Sequence, residues 1–288
     1  MHSAISGQTR IVGIFGAPIA HTRSPAMQNA AFQSCGLPYV YVPFLVQPAK
    51  LSQAVAGIRA LNLAGVNVTV PHKERVLRYL DSVSPEAKLC GAVNTIVNRQ
   101  GHLCGENTDG RGFLLSLREQ GFSPRGKEII VLGAGGSARA VLVSLIRANC
   151  RKILIVNRTR ANAQLLVRTY RSLGRTALQA LPLEALQDTS LLQHTDLIVN
   201  CTSIGLHNDQ FFSIAYAATP EFCIFYDLLY HSRLTAFLRP AKKIHRRTID
   251  GRHMLLHQGA LAFTLWTQVP APLPIMERAL NRALRRSV

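Results

Sequence analysis

EIIVLGAGGSARAVLVSLI, residues 128–146, decides the fold. Its first part is an apolar run of strand length that stops at glycine. Its last part is a longer apolar segment, of helix length. Between them lie Gly133, Ala134, Gly135, Gly136 and Ser137, then Ala138. Glycines at a strand-to-helix turn permit the tight bend and let backbone amides approach a pyrophosphate at the positive end of the helix. Ala138 is small enough for helix and strand to pack closely. The stretch is expected to be the first βα unit of a dinucleotide-binding domain; a glycine turn that serves packing alone is the competing reading.

Working outward, the next apolar run, KILIVN, ends in Asn157, Arg158, Thr159 and Arg160. A chain selective for NAD places an Asp or Glu here, against the ribose hydroxyls. Guanidinium and hydroxyl groups instead suit a 2′-phosphate through forked, charge-assisted hydrogen bonds, so NADP is the expected cofactor. DLIVNC and FCIFYDLL supply further core strands. Before residue 128 the same alternation recurs. IVGIFG (11–16), YVYVPF (39–44), GVNVTV (65–70) and AVNTIV (92–97) read as strands, and LSQAVAGIRAL reads as a helix. Ser24-Pro25 is expected to start a helix that stops at Gly36, with the Ser24 hydroxyl as its cap. NRQGHLCGENTDG reads as a turn-rich closure of this first region, RGFLLSLREQG as the helix that follows, and MLLHQGALAFTLWT and IMERALNRAL as terminal helices. The pattern is α/β with parallel sheets.

Composition narrows the function. At 288 residues two domains or one large α/β unit are expected. No apolar run reaches the roughly 18 residues of a membrane span, and the start, MHSAISGQTR, lacks a signal-like apolar stretch, which points to the cytoplasm. Cys35, Cys90, Cys104, Cys150, Cys201 and Cys223 show no CxxC or zinc-like spacing, so free thiols are expected and no metal site. The formal charge of +18 attracts anions over long range. Its basic residues are dispersed, with clusters only at Lys242 to Arg247 and Arg282 to Arg286. No aromatic-studded motif interleaves them, which disfavours nucleic acid as a partner.

NVTVPHKERV (67–76) holds the chemistry. Pro71 is expected at the first position of a helix, which sets Lys73 in that helix's first turn. There the dipole and partial desolvation would push its pKa down toward a value useful for proton transfer. Asp109 in NTDGRG is expected to open another helix, whose dipole keeps the carboxylate ionised. Brought together, the two make a proton-handling pair. His72 reads as a helix-surface residue.

GAPIAHTRSPAMQNAAF, NVTVPHK, GAVNT, GENTDGRGF, LGAGGSARA, NRT, NCTSIGL, YDLLY and DGRHMLLHQGALAFTLWT, in this order, resemble the motifs of the shikimate dehydrogenase family over nearly the whole chain. The resemblance implies an N-terminal α/β substrate domain at 1–110, a Rossmann-like NADP-binding domain at 111–250, and C-terminal helices at 251–288 that return to the first domain. It implies a reversible NADP-linked reduction of 3-dehydroshikimate to shikimate, in aromatic amino acid biosynthesis, without a metal. Thr22 and Ser24 would bind the substrate carboxylate. Thr69, Asn94, Asp109, Tyr230 and Gln258 would bind ring hydroxyls, and Lys73 and Asp109 would be the catalytic pair. Gly133, Ala134, Gly135, Gly136 and Ser137 would hold the pyrophosphate. Asn157, Arg158 and Thr159 would lie at the adenosine phosphate, and Leu228, Gly251 and Met254 near the nicotinamide. A monomer or homodimer is expected.

Several positions depart from the family pattern. Thr22 stands where a serine is usual, Asn162 where a second basic residue is usual, and Arg160 is a candidate to replace that missing charge. His231-Ser232 follows YDLLY in place of Asn-Pro, and His253 replaces a glycine. His253 and His257, one helical turn apart, lack the third ligand of a zinc site. A quinate or shikimate dehydrogenase of broader specificity, using NAD, is the alternative enzyme. A ligand sensor or nucleic-acid-binding protein is the alternative class.

Overall fold

The computed structural model describes residues 5–205, 209–231 and 233–285. Leu206 of NCTSIGL, Ser232, Arg286 of the second basic cluster and the first four residues of the chain lie outside the described residues. In chain order the elements are β1 (Arg10–Gly16), α1 (Ser24–Ser34), β2 (Tyr39–Leu45), α2 (Leu51–Ala60), β3 (Gly65–Val68), β4 (Ser82–Val83), α3 (Pro85–Cys90), β5 (Thr95–Arg99), β6 (His102–Glu106) and α4 (Asp109–Glu119). They continue with β7 (Glu128–Leu132), α5 (Gly136–Arg147), β8 (Lys152–Val156), α6 (Arg160–Tyr170), β9 (Ala177–Leu181), α7 (Thr189–Leu192), β10 (Leu197–Asn200), β11 (Ile224–Asp227), α8 (Leu238–Lys243), β12 (Arg247–Ile249), α9 (Arg252–Thr267) and α10 (Leu273–Arg285). The chain divides into two compact units, Met1–Gly112 with Leu255–Val288, and Phe113–Met254. Among the described residues no helix is long and apolar enough to cross a membrane.

The first unit is built on a sheet of order β2-β1-β3-β5-β6-β4. Strands β1, β2 and β3 are parallel, as the sequence leads one to expect, but β5 runs antiparallel to both β3 and β6. The turn-rich closure is therefore in part a hairpin. Gln100 and Gly101 both have positive φ (55° and 89°) and join Arg99 to His102, the two-residue turn that matches the twist of paired strands. Helix α1 ends where expected: Gly36 at φ 63° lets the Leu37 amide donate back to the Phe32 carbonyl. Its start differs. Arg23 holds the cap position without a side-chain bond, and Ser24 is the first helical residue; Pro25, which has no N–H, leaves one fewer first-turn donor in need of a cap.

One face of this sheet buries Phe15, Val66, Val68, Ile96 and Leu103 with Val55 and Ile58 of α2. The other receives the terminal helices, with Phe263 stacked on Phe32 (5.1 Å between centroids) and Trp266 donating from its indole to the Ile96 carbonyl (3.0 Å). Burying a side chain such as Phe263 stabilises the unit by about 1.5–3 kcal/mol. Gly65 is required by this contact, since a Cβ there would meet the Trp266 indole and the Ile96 carbonyl. The last helices thus return to the first unit.

The second unit carries an all-parallel sheet of order β12-β11-β10-β7-β8-β9. Chain order reverses between β7 and β10, the point where open α/β sheets leave a crevice at their strand ends. Residues 140–146 of α5 are buried throughout, so a helix that is apolar all round reads as one enclosed by its own domain. The dinucleotide-type fold inferred from residues 128–146 is the one observed. Strands β9 and β12 were not evident in the sequence; both lie at sheet edges, and both are only partly buried.

Candidate active site

In the first unit the turn after β3, the starts of β5 and α4, and the interior of α9 converge on one polar cluster. After β3, Thr69 donates its amide to the Phe15 carbonyl (2.9 Å), and the chain turns through a cis Val70-Pro71 bond. The His72 amide then donates to the Thr69 carbonyl (2.9 Å). Pro71 does not open a helix, contrary to the expectation. Lys73 sits in a turn, and the next helical turn is a 3-10 segment, Arg75–Tyr79, so Lys73 is not in the first turn of a helix. What holds Lys73 is a carboxylate: its Nζ lies 2.5 Å from Asp109 Oδ2, with side-chain exposures of 13% and 5%. The lysine tip keeps the larger access, as a proton donor to a bound molecule must.

Asp109 does open α4, as expected, and its amide donates to Asn107 Oδ1 (3.0 Å). Its second oxygen accepts from Asn94 Nδ2 (2.8 Å). The same amide nitrogen reaches Thr108 Oγ1 (2.8 Å) and Gln258 Oε1 (3.3 Å), while Asn94 Oδ1 accepts from the Thr108 amide (2.8 Å). Two N–H groups facing three acceptors cannot satisfy all of them, and Gln258, at the longest distance, is the one most easily turned toward a ligand. Gly112, one turn into α4, lets this happen: a Cβ there would meet the Gln258 backbone and Cβ at 2.7–2.8 Å, so only glycine lets α9 approach that closely. Lys73, Asn94, Asp109 and Gln258 are thereby brought together from four separate parts of the sequence.

Thr22, Ser24 and Thr69 stand outside that hydrogen-bonded cluster. Thr22 lies on the loop between β1 and α1 and Ser24 opens α1, where the Ser24 amide donates to Thr22 Oγ1 (3.3 Å). Thr69 packs its methyl at the position where a Cβ on Gly16 would fall. Tyr230 belongs to the second unit, on the segment after β11. Supporting residues that went unrecognised are Asn67, which donates to the Asn94 carbonyl (3.1 Å) and Thr95 Oγ1 (3.0 Å), and Tyr41, which donates to Asn67 Oδ1 (2.8 Å). Asn67, Thr95 and Thr108 stand inside the quoted motifs, and that was their only signal. His72 is corrected outright. It is wholly buried rather than on a helix surface, with Nε2 2.7 Å from the Val46 carbonyl.

In the second unit, Gly133 ends β7 at φ 109°, and a Cβ there would press on Cys201 and Thr202 at the end of β10, within 3.2–3.3 Å. Gly135 caps α5 without a side chain, which leaves the first-turn amides of Gly136, Ser137 and Ala138 outside the helix's own ladder. A glycine cradle at a helix N-terminus, at the reversal of strand order, fits a pyrophosphate. At the end of β8, Asn157 donates to the Thr159 carbonyl (2.9 Å), while Arg158, Thr159 and Arg160 are exposed and the stretch from 153 to 170 holds no acidic residue. This fits a 2′-phosphate. Leu228 and Gly251 are in direct contact, since a Cβ on Gly251 would fall on the Leu228 carbonyl, and Met254 is 7% exposed one helical turn into α9. Ala134, which lies between the two glycines, is partly buried.

Next to Leu228, at the end of β11, stands a buried carboxylate, Asp227. Asp227 Oδ1 accepts from Asn200 Nδ2 (2.8 Å) and the Leu229 amide (3.0 Å), and Oδ2 accepts from Thr235 Oγ1 (2.6 Å). Burial pushes its pKa up to about 6; the Thr235, Leu229 and Asn200 hydrogen bonds oppose the shift, and the charge of Asp250 adds to it. His253, in place of the usual glycine, pairs through Nδ1 with Glu119 (2.9 Å). Among the described residues no group of three side chains is arranged to hold a metal ion.

Three profiles match the chain in order: "Shikimate dehydrogenase substrate binding domain" over residues 14–96, "Shikimate / quinate 5-dehydrogenase" over 116–210, and "Shikimate 5'-dehydrogenase C-terminal domain" over 251–280. A shikimate dehydrogenase (NADP(+)) of Desulforamulus reducens is 44% identical over 99% of both chains. Among solved structures, a shikimate dehydrogenase in complex with NADP+ superposes with a TM-score of 0.90 at 37% identity, covering 99% of each chain. The Thermus thermophilus shikimate 5-dehydrogenase in complex with NADP(H) and shikimate gives 0.85 at 37% identity, over 96% of this chain and all of that one. With a full-length relative at that identity and the family's parts in their proper order, the chain belongs to the shikimate dehydrogenase family.

Proposed function

We propose that this protein is an NADP-linked oxidoreductase that reversibly reduces 3-dehydroshikimate to shikimate, a step of aromatic amino acid biosynthesis. The observation that carries the reading is the Lys73 to Asp109 pair, 2.5 Å apart, joined to Asn94 and Gln258. Bound NADPH supplies the hydride that reaches the ketone carbon. Lys73 gives its proton to the oxygen that becomes negative as the hydride arrives, and its charge stabilises that oxygen beforehand. Asp109, fixed by Asn94 and by the Asn107 side chain, orients the ammonium and accepts from a ring hydroxyl. Asn94, Gln258, Thr69 and Tyr230 bind the remaining hydroxyls, and Thr22 and Ser24 the carboxylate. Lys73 regains its proton from water once product leaves. Gly133 to Ser137 offer amides to the pyrophosphate. Asn157, Arg158 and Thr159 hold the 2′-phosphate, and Leu228, Gly251 and Met254 flank the nicotinamide. The enzyme works in the cytoplasm as a monomer or homodimer.

Steady-state oxidation of shikimate and of quinate, each with NADP+ and with NAD+, tests this. Preference for shikimate with NADP+ is expected. Equal or faster turnover of quinate with NAD+ would assign the protein to the broader-specificity class, and no turnover of either would overturn the reading.

A further inference from the structure

Around Lys73 the backbone closes into a hydrogen-bonded ring. The Thr69 amide donates to the Phe15 carbonyl (2.9 Å), the Ala17 amide to Val70 (3.0 Å), the Val46 amide to Gly16 (3.1 Å), and the His72 amide to Thr69 (2.9 Å). These bonds join the ends of β1, β2 and β3 to the turn that carries Lys73. The ring closes through one side chain, His72, whose Nε2 lies 2.7 Å from the Val46 carbonyl. A carbonyl only accepts, so Nε2 must donate. On the far side, the Lys73 carbonyl accepts from the Val93 amide (2.8 Å), which fixes the residue preceding Asn94. The lysine turn is therefore clamped between β5 and the end of β2, and His72 is the side-chain half of that clamp.

The same imidazole carries a cost on its other nitrogen. It is 0% exposed, and its Nδ1 has no hydrogen-bond partner among the described residues. With Nε2 committed to Val46, either protonation state of the ring leaves Nδ1 unsatisfied, and an unsatisfied buried polar atom destabilises the fold. An apolar ring of similar size would remove that cost but leave the buried Val46 carbonyl without its donor, so this one side-chain bond is what the imidazole contributes to the turn that carries Lys73.

We propose that His72 is a positioning residue for Lys73: its Nε2–H bond to the Val46 carbonyl sets the turn that aims the ammonium at Asp109 and at the substrate oxygen. This rests on the reading of Lys73 as proton donor. The test uses the full-length enzyme with shikimate and NADP+, and compares His72→Phe, His72→Gln and His72→Asn. Phe keeps the ring volume without a donor. Gln places an amide N–H near the Nε2 position, and Asn places one near Nδ1. The expected result for His72→Phe is a melting temperature lowered only modestly, since Nδ1 is no longer stranded but the Val46 carbonyl is, and an unchanged KM for NADP+, with kcat lowered about tenfold to 100-fold, the scale of a displaced catalytic group. His72→Gln is expected to recover kcat and His72→Asn to fail to do so. Unaltered kcat in His72→Phe, or equal activities in the Gln and Asn variants, would overturn the proposal. If His72→Phe does not fold, the Gln and Asn pair decides by the same criterion. Absence of turnover in the unaltered enzyme would instead sink the assigned reaction, so the two failures are distinguishable.

Discussion

Replacing Asp227 with Asn changes how stability depends on pH, and the size of the change follows from the buried carboxyl. Its pKa is about 6 in the fold against a reference of 3.8, chiefly because burial disfavours the charge. The folded state therefore holds a proton that the unfolded chain has lost between those two values, and stability falls as pH rises through that window. A shift of about two units corresponds to about 3 kcal/mol, with about half of that change lying above roughly pH 5. Asn at this position keeps the oxygen that accepts from Asn200 and Leu229 and offers Thr235 an N–H in place of Oδ2. It has no proton to lose. The difference in unfolding free energy between variant and parent should therefore move in favour of the variant as pH rises from about 4, and level off above about 7. Urea unfolding by far-UV circular dichroism across that range measures it; the single tryptophan, Trp266, lies in the other unit and would report on the wrong part of the chain. A difference that stays constant with pH would refute the argument that Asp227 carries a buried, titrating charge.

Lys73→Ala should lower kcat by about 10²–10⁴-fold with KM for NADP+ unchanged, and a modest, equal loss in both would count against proton transfer by this lysine. Arg160→Ala should raise KM for NADPH about tenfold or more, since a hydrogen bond to a charged phosphate contributes about 1.5–3 kcal/mol; an untouched KM would show that Arg160 does not replace the missing basic residue at 162. Gly251→Ala puts a methyl on the Leu228 carbonyl, so calorimetry should show a lower melting temperature, by the equivalent of about 1–3 kcal/mol. A melting temperature equal to the parent's would mean that the 228–229 backbone can yield.

Much of the architecture is carried by local pattern. The run at 128–146 reads correctly because a strand, a glycine turn and a buried helix each leave a mark within one stretch, and the strong strands β1, β7, β8, β10 and β11 are apolar runs that the fold buries. Strand β6 is faint in the sequence because its two-residue turn, Gln100-Gly101, resembles loop punctuation and the strand, HLCGE, holds a single large apolar residue, Leu103. The edge strands β9 and β12 were missed for a related reason. A strand with one open edge needs fewer apolar residues, so its pattern is faint.

By itself the sequence determined which segments must be buried, where the chain must bend at glycine, and which residue types are on hand for phosphate, hydride and proton chemistry. Those are properties of neighbours in the chain. Tertiary structure alone decided the rest. Lys73 stands in a turn instead of a helix, His72 is enclosed instead of exposed, and Asn94, Asp109 and Gln258 share one set of hydrogen bonds. Each depends on a partner tens of residues away, on a carbonyl at Val46 or a helix that returns from residue 255. A bond to a distant partner leaves no periodic trace in the sequence.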